Sequence, residues 1–419
     1  MATKMFRALS IRNYRLWVIG ALVSNIGTWM QRVAQDWLVL TELTDLDGTA
    51  TGIVTGLQFL PILILGPYAG LIADRYDKRK VLMCTQSFMA LCALILGLLV
   101  VADTAQLWHV YILATALGVG SAFDAPARQA FVSEIVPGTH LTNAVALNSA
   151  NFNLARLAGP GIAGLVIAAV GTGPAFLING VSFLAVLFAL TSLDRTQIRA
   201  ATRVKRGKGQ IRDGFGYLRG RRDLLLVFAL AFVVGTFGLN FQLTNAMMVA
   251  DVFGVGAGEY GILGSVMAIG TFAGALLAAR RSRPRWRYII FGAIFFGASA
   301  LTSALMPNYI LFMLSLIPIG LCALTFLNSC NVMIQTSVPG QYRARVLALY
   351  LMVVQGGTPI GAPLVGWLAT LFGPRMAVGV GASLSLIAGL LALILWQKFR
   401  ADAVPVRVQM QRILTRRAR

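Results

Sequence analysis

Three charged side chains interrupt stretches that are otherwise apolar. Arg32 and Asp36 lie toward the far end of the first stretch, and Arg156 lies near the middle of a later one. A charge in hydrocarbon costs about 3 kcal/mol on insertion scales, so such residues face a cavity or one another. Arg32 and Asp36 are four apart and share a helix face. Two readings are open. Asp36 takes up and releases a proton as a cavity alternates, with Arg32 or Arg156 as the neighbouring charge, or the pair is a structural ion bridge near an interface. Amides form a second set: Gln31, Gln35, Gln58, Asn148, Asn151, Asn240, Asn328, Asn331 and Gln355. Taken singly, each reads as a hydrogen bond between helices. Together they predict a wide cavity, polar but poor in charge, suited to an amphipathic organic molecule better than to a small ion.

Such residues need elements that cross a membrane. Of the 419 residues, 57% are hydrophobic and only 12% charged, about half the charge of a soluble domain. Apolar stretches of roughly 18 to 25 residues recur about twelve times. The chain therefore reads as an all-α polytopic membrane protein of twelve transmembrane helices. The basic N-terminus runs into a long span without a small-residue cleavage site, which predicts a retained first helix. A net charge of +21 would suggest nucleic acid in a soluble protein. Here the bases cluster in loops, so the partner is membrane lipid and no nucleic acid. The four cysteines sit in apolar runs without C-x-x-C spacing, and no Walker-type loop or metal cluster occurs. No cofactor and no metal is expected.

Charge also orients the chain. Lys4, Arg7, Arg12 and Arg15, the turn from Arg75 to Lys80, Arg280 to Arg287, Arg343 and Arg345, and the tail after Lys398 share one side. The positive-inside rule makes that side, with both termini, cytoplasmic, and the location a bacterial-type inner membrane. A basic segment at 194–223 separates residues 1–193 from 224–398, and a basic tail occupies 399–419. The halves resemble each other. A shift of 202 residues places Gly118 on Gly320, Val136-Pro137-Gly138 on Val338-Pro339-Gly340, Gly159 on Gly361, Gly164 on Gly366 and Gly171 on Gly373. Two parallel six-helix repeats are the architecture of a transporter that rocks around a central site.

The turn Gly70-Leu71-Ile72-Ala73-Asp74-Arg75-Tyr76-Asp77-Lys78-Arg79-Lys80 joins the second and third stretches. It resembles the loop motif of the major facilitator superfamily, with Asp77 where Gly is usual. The resemblance covers essentially the whole chain and implies that Gly70, Asp74, Arg75, Lys78 and Arg79 form a gating motif. The equivalent turn at 278–287 keeps the bases and lacks the Asp, so an asymmetric gate is expected. Ala155 to Gly164, with Arg156, Gly159, Pro160 and Gly164, resembles the motif of the antiporter branch. Pro160 bends the helix and the small residues permit close packing. Ser24 to Arg32 and Ala122 to Gln129 resemble the branch of enterobactin-type siderophore exporters and multidrug efflux permeases. The arginine that many antiporters carry in the fourth span is here Ala114. Asp124, Arg128 and Glu134, at the inner end of that span, are expected to gate or pair.

The resemblance implies an exporter of a small amphipathic organic compound, a drug, antibiotic or siderophore-like metabolite. Its coupling would be proton antiport, with proton-coupling candidates Asp36, Arg32 and Arg156 and with a monomer sufficient. An importer or facilitator is the alternative within transport. A membrane enzyme would need convergent His, Asp or Glu near an interface, and His109 and His140 are poorly placed for that. A receptor would need an appended folded domain.

Overall fold

The structure is a computed structural model describing residues 6–198, 210–279 and 285–402. Among these the regular elements are helical. Twelve helices cross the molecule: α1 (Arg12–Trp37), α2 (Gly48–Arg75), α3 (Lys78–Val101), α4 (Leu107–Ile135), α5 (Gly138–Val170), α6 (Thr172–Thr191), α7 (Arg222–Val252), α8 (Ala257–Ala279), α9 (Trp286–Ala304), α10 (Tyr309–Ser337), α11 (Gly340–Gly356 then Thr358–Phe372) and α12 (Pro374–Asp402). Eleven helices are long and apolar enough to cross a membrane. The twelfth is α1, whose 26 residues suffice in length. Its apolar run is diluted by Asn13, Asn25, Gln31, Arg32, Gln35 and Asp36, which turn inward. The outer face carries large exposed apolar side chains such as Leu165 (72%) and Phe188 (68%), a surface suited to lipid and not to water.

The repeat is visible in the backbone. Pro137 precedes α5 with φ −59° and ψ 148°, and Pro339 precedes α11 with φ −54° and ψ 147°. Gly171 and Gly373 end the same two helices, both at φ 85°, where a side chain would strain the turn. The second half departs from the first in α7. Its helix runs Arg222–Val233, loosens to a π-turn at Val234–Gly238, breaks at Leu239 and Asn240, and resumes at Phe241–Met247. Irregular backbone at membrane depth is tolerated where it lines a cavity.

Odd-numbered helices run away from the termini and even-numbered ones return. The two halves meet along α2 with α11 and α5 with α8, and through Phe241–Met247 of α7 against α1 and α2. These contacts run from the end remote from the termini to mid-depth. A Cβ on Gly164 of α5 would meet Ala257 O at 2.8 Å and Gly258 O at 2.9 Å on α8. Gly366 of α11, its repeat mate, is pressed in the same way against the Gly48 backbone of α2. Backbones thus touch directly, as small residues allow between membrane helices. The molecule is sealed at the remote end.

Within the segment read as the linker, a helix of 10 residues, Gln210–Arg219, docks on the start of α11. Tyr217 stacks on Tyr342 at 4.8 Å, Leu218 is buried, and Arg221 grips Asp223 through both oxygens. Ahead of it, Asp194 exchanges backbone hydrogen bonds with the Asn13 amide of α1. The Thr196 hydroxyl and N–H donate to the Asp194 carboxylate and hold it below the ordinary carboxylate range. Half of the linker's bases, Arg280 to Arg283 and the tail from residue 403 lie outside the described residues.

Candidate functional site

Under the sealed end, α1 presents three successive polar sites. Asp36 is buried at 4% exposure. The Tyr260 hydroxyl of α8 lies 3.3 Å from its Oδ2 and 3.0 Å from the backbone oxygen of Gln242 on α7. Thr55 of α2 stands beside the same carboxyl, and Trp37 stacks on the Tyr260 ring at 5.8 Å and 22°. Asp36 therefore belongs to the first half and reaches across the seam to the second. One hydroxyl hydrogen is offered to two acceptors, and a hydroxyl donates only once.

Of the two readings of Arg32 and Asp36, the ion bridge is not formed. Among the described residues the ion pairs are Lys78–Glu134, Arg128–Asp124 and Arg221–Asp223. Shared helix face does not ensure contact, because the long Arg32 side chain turns to aromatic rings. Its Cζ sits 4.7 Å from the Trp29 ring centre and 5.4 Å from that of Phe59. Arg156 of α5 comes to the same Trp29 ring, at 5.7 Å, and Phe152 meets that ring edge-on. Pro160 and Gly159 sit one turn beyond Arg156; a Cβ added at Gly159 would meet Trp29 Cβ at 2.5 Å, and one added at Gly264 of α8 would meet Pro160. The span-five motif thus forms both the arginine's neighbourhood and the seam.

The amides divide into two groups. Gln31 accepts from Asn179 of α6, Gln35 donates weakly to Gln58 of α2 at 3.4 Å, and Asn151 joins Asn25 and Val18 O of α1. These are bonds between helices. Asn240 donates back to Thr236 O at the α7 break and leaves its Oδ1 buried without a partner, as do Gln31 Nε2 and Gln35 Oε1. Asn331 accepts from Gln335; Asn148 and Asn328 are half-buried and Gln355 is exposed. These last amides lie on α10 and α11 of the second half, apart from Asn148 on α5.

That end holds a separate network inside the first half. Asp124 accepts from Thr85 Oγ1 (3.0 Å), Gln86 Nε2 (2.6 Å) and Arg128 Nε (2.9 Å), and Arg128 lies over the Trp17 ring at 5.3 Å. In the turn between α2 and α3, Asp77 caps α3, Lys78 pairs with Glu134 at 2.6 Å, and Arg79 Nε donates to Leu190 O. Gly70 is half-buried and Arg75 exposed, while the Asp74 side chain lies outside the described residues. The turn is tied to α4 and α6.

A polytopic bundle of two six-helix repeats, sealed at one end and holding buried charge beneath the seal, is transporter architecture. A family model described as transmembrane secretion effector matches residues 3–412. The chain belongs to this family of the major facilitator superfamily. It is similar to the staphyloferrin A transporter of Staphylococcus aureus, 28% identical over 83% of this chain and 87% of that one. It is also similar to macrolide efflux protein A of Streptococcus pyogenes (23%; 88% and 91%) and to an enterobactin exporter of Shigella boydii (26%; 88% and 88%). A solved bacterial homologue of the human lysosomal transporter Spinster, inward-facing and occupied, superposes with a TM-score of 0.73 over 94% of this chain and 98% of that one, at 16% identity. That likeness is of fold alone. The transporter's own site has two members the sequence reading passed over. Tyr260 sat unnoticed at the start of an apolar span. The α7 break was signalled by Gly235 and Gly238 ahead of Asn240, within a run read as one continuous helix.

Proposed function

We propose that this transporter exports small amphipathic organic compounds, of drug, antibiotic or siderophore-like kind, by proton antiport and alternating access. It works as a monomer in the inner membrane with both termini cytoplasmic. Residues 1–193 and 224–398 are the rocking halves, 194–223 the linker and 399–419 the tail. The observation that carries the reading is the buried link from Asp36 across the seam to Tyr260 and Gln242.

Proton and seam are coupled through hydrogen-bond supply. With Asp36 charged, its carboxylate and Gln242 O compete for one hydroxyl hydrogen. With Asp36 protonated, its O–H donates to Tyr260 Oη, and Tyr260 donates to Gln242 O, so both acceptors are served. Protonation from outside therefore favours closure at the remote end and exposes the cavity to the cytoplasm. Release of the proton inward leaves a buried carboxylate competing with Gln242 O for the Tyr260 hydrogen, which favours reopening outward with substrate aboard. The turn Gly70, Asp74, Arg75, Lys78 and Arg79 gates the opposite end, with the Asp124, Arg128 and Glu134 network as its anchor.

The test is efflux of a fluorescent substrate in everted vesicles, with the proton gradient collapsed midway. Transport is expected to stop on collapse, and Asp36→Asn to lose gradient-driven transport while retaining substrate exchange. Transport indifferent to the gradient would make the protein a facilitator. Gradient dependence with a wild-type Asp36→Asn would move the coupling residue elsewhere.

A further inference from the structure

The roof contains two cations, and its one carboxylate among the described residues, Asp36, forms an ion pair with neither. Neither Arg32 nor Arg156 has a hydrogen bond or an ion pair among the described residues, and Arg32 Nε is enclosed without a partner. The carboxylates of the first half that make described contacts are engaged elsewhere. Asp36 faces Tyr260, Glu42 takes the Thr172 hydroxyl, Asp47 and Asp77 cap helices, and Asp124 and Glu134 are paired at the termini end. Two guanidinium groups drawn to one indole ring repel each other, and a buried charge without a partner is strongly disfavoured. The arrangement is stable when something negative enters between them.

The ring contacts leave the donors unspent. A guanidinium beside an aromatic ring uses no N–H on it. Arg32 and Arg156 therefore each keep a planar fork of donors, and a carboxylate is the group whose two oxygens match such a fork. Trp29, Phe59 and Phe152 supply an apolar wall beside it. Gln35 Oε1 and Asn240 Oδ1, also buried and unpartnered, leave acceptors for hydroxyl or amide donors on the same molecule. Buried polar atoms without partners are uncommon; Gln31 Nε2, Arg32 Nε and Gln35 Oε1 fall on one stretch of α1 and Asn240 Oδ1 at the break of α7.

We infer that Arg32 and Arg156 form a carboxylate-binding site, and that the transported compound is an amphipathic organic acid. This rests on the exporter reading and names its substrate class. A cationic compound of equal size would meet two like charges at the roof and be rejected.

A matched pair of probes tests it: 2-naphthylacetate and 2-(2-naphthyl)ethylammonium, titrated calorimetrically into the purified transporter in detergent. No gradient is present, so coupling plays no part. The acid is expected to bind at least about tenfold more tightly than the amine. Arg32→Gln and Arg156→Gln should each weaken the acid about tenfold or more and leave the amine no weaker. Arg156→Lys keeps the charge and loses the fork, so it should fall between, and its thermal unfolding serves as the folding control. Equal affinities, a preference for the amine, acid binding indifferent to all three variants, or binding of neither probe each overturns the site. A protein that pumps a cationic dye on the gradient while preferring the amine would lose this site and keep the exporter reading. Acid-selective binding with gradient-indifferent transport would do the reverse.

Discussion

Tyr260→Phe removes one oxygen from the seam and leaves its packing. The ring stacked on Trp37 at 5.8 Å remains, so the change isolates the hydrogen bond to Asp36. That bond is 3.3 Å long, beyond the 2.5–3.0 Å of a good O–H···O contact. It therefore belongs at the bottom of the range for bonds to charged groups, about 1.5 kcal/mol. Gln242 O at 3.0 Å draws on the same single hydrogen, so one donated bond is lost and not two. The loss shifts a two-state equilibrium toward the outward-open form by about tenfold. The assay is pulsed electron resonance between spin labels on cysteines placed at Asp45 and Asp251, exposed positions at the sealed end of each half, in a background without native cysteines. The variant should gain a long-distance population that wild type lacks near neutral pH. Raising the pH should lengthen the wild-type distance and affect the variant much less. An unchanged distance distribution in Tyr260→Phe, or an undiminished response to pH, would refute the coupling.

Gly164→Leu is expected to hold the seam open, because its Cβ meets Ala257 O at 2.8 Å and Gly258 O at 2.9 Å, which are backbone atoms that cannot rotate away. Overpacking of this kind costs about 1–3 kcal/mol or more, so efflux should fall and a thiol reagent added outside should reach a cysteine introduced at Thr55 in the roof; wild-type efflux would sink the idea. Glu134→Ala leaves Lys78 buried without its 2.6 Å partner, a loss of about 3 kcal/mol. It should appear as a lower unfolding temperature in detergent, and an unchanged one would mean that the pair is replaceable.

Much of this fold could be read from residues alone. Spans of the right length leave helices as the natural solution, and Pro137 with Pro339 and Gly171 with Gly373 announce the repeat because proline and glycine constrain backbone directly. The least apolar span, α1, was recognisable for what diluted it: Gln31, Arg32, Gln35 and Asp36 are the residues it turns inward. Pairing was harder to foresee. Arg32 and Asp36 satisfy the spacing of an ion pair, yet Trp29 and Phe59 take the guanidinium and Tyr260, 224 positions away, takes the carboxylate. Lys78 finds Glu134 across 56 residues for the same reason. Side-chain length and the neighbours supplied by other helices decide such contacts, and neither is encoded locally.

The bare backbone of the seam has a kinetic consequence. Where Gly48 lies against Gly366 and Gly164 against Gly261, no knobs must be withdrawn from holes when the halves part. At those points opening becomes the sliding of smooth surfaces, without rotamer changes to slow it. The side chains that do cross the seam, Trp37 stacked on Tyr260 and the Tyr260 hydroxyl at Asp36, then set the pace of parting.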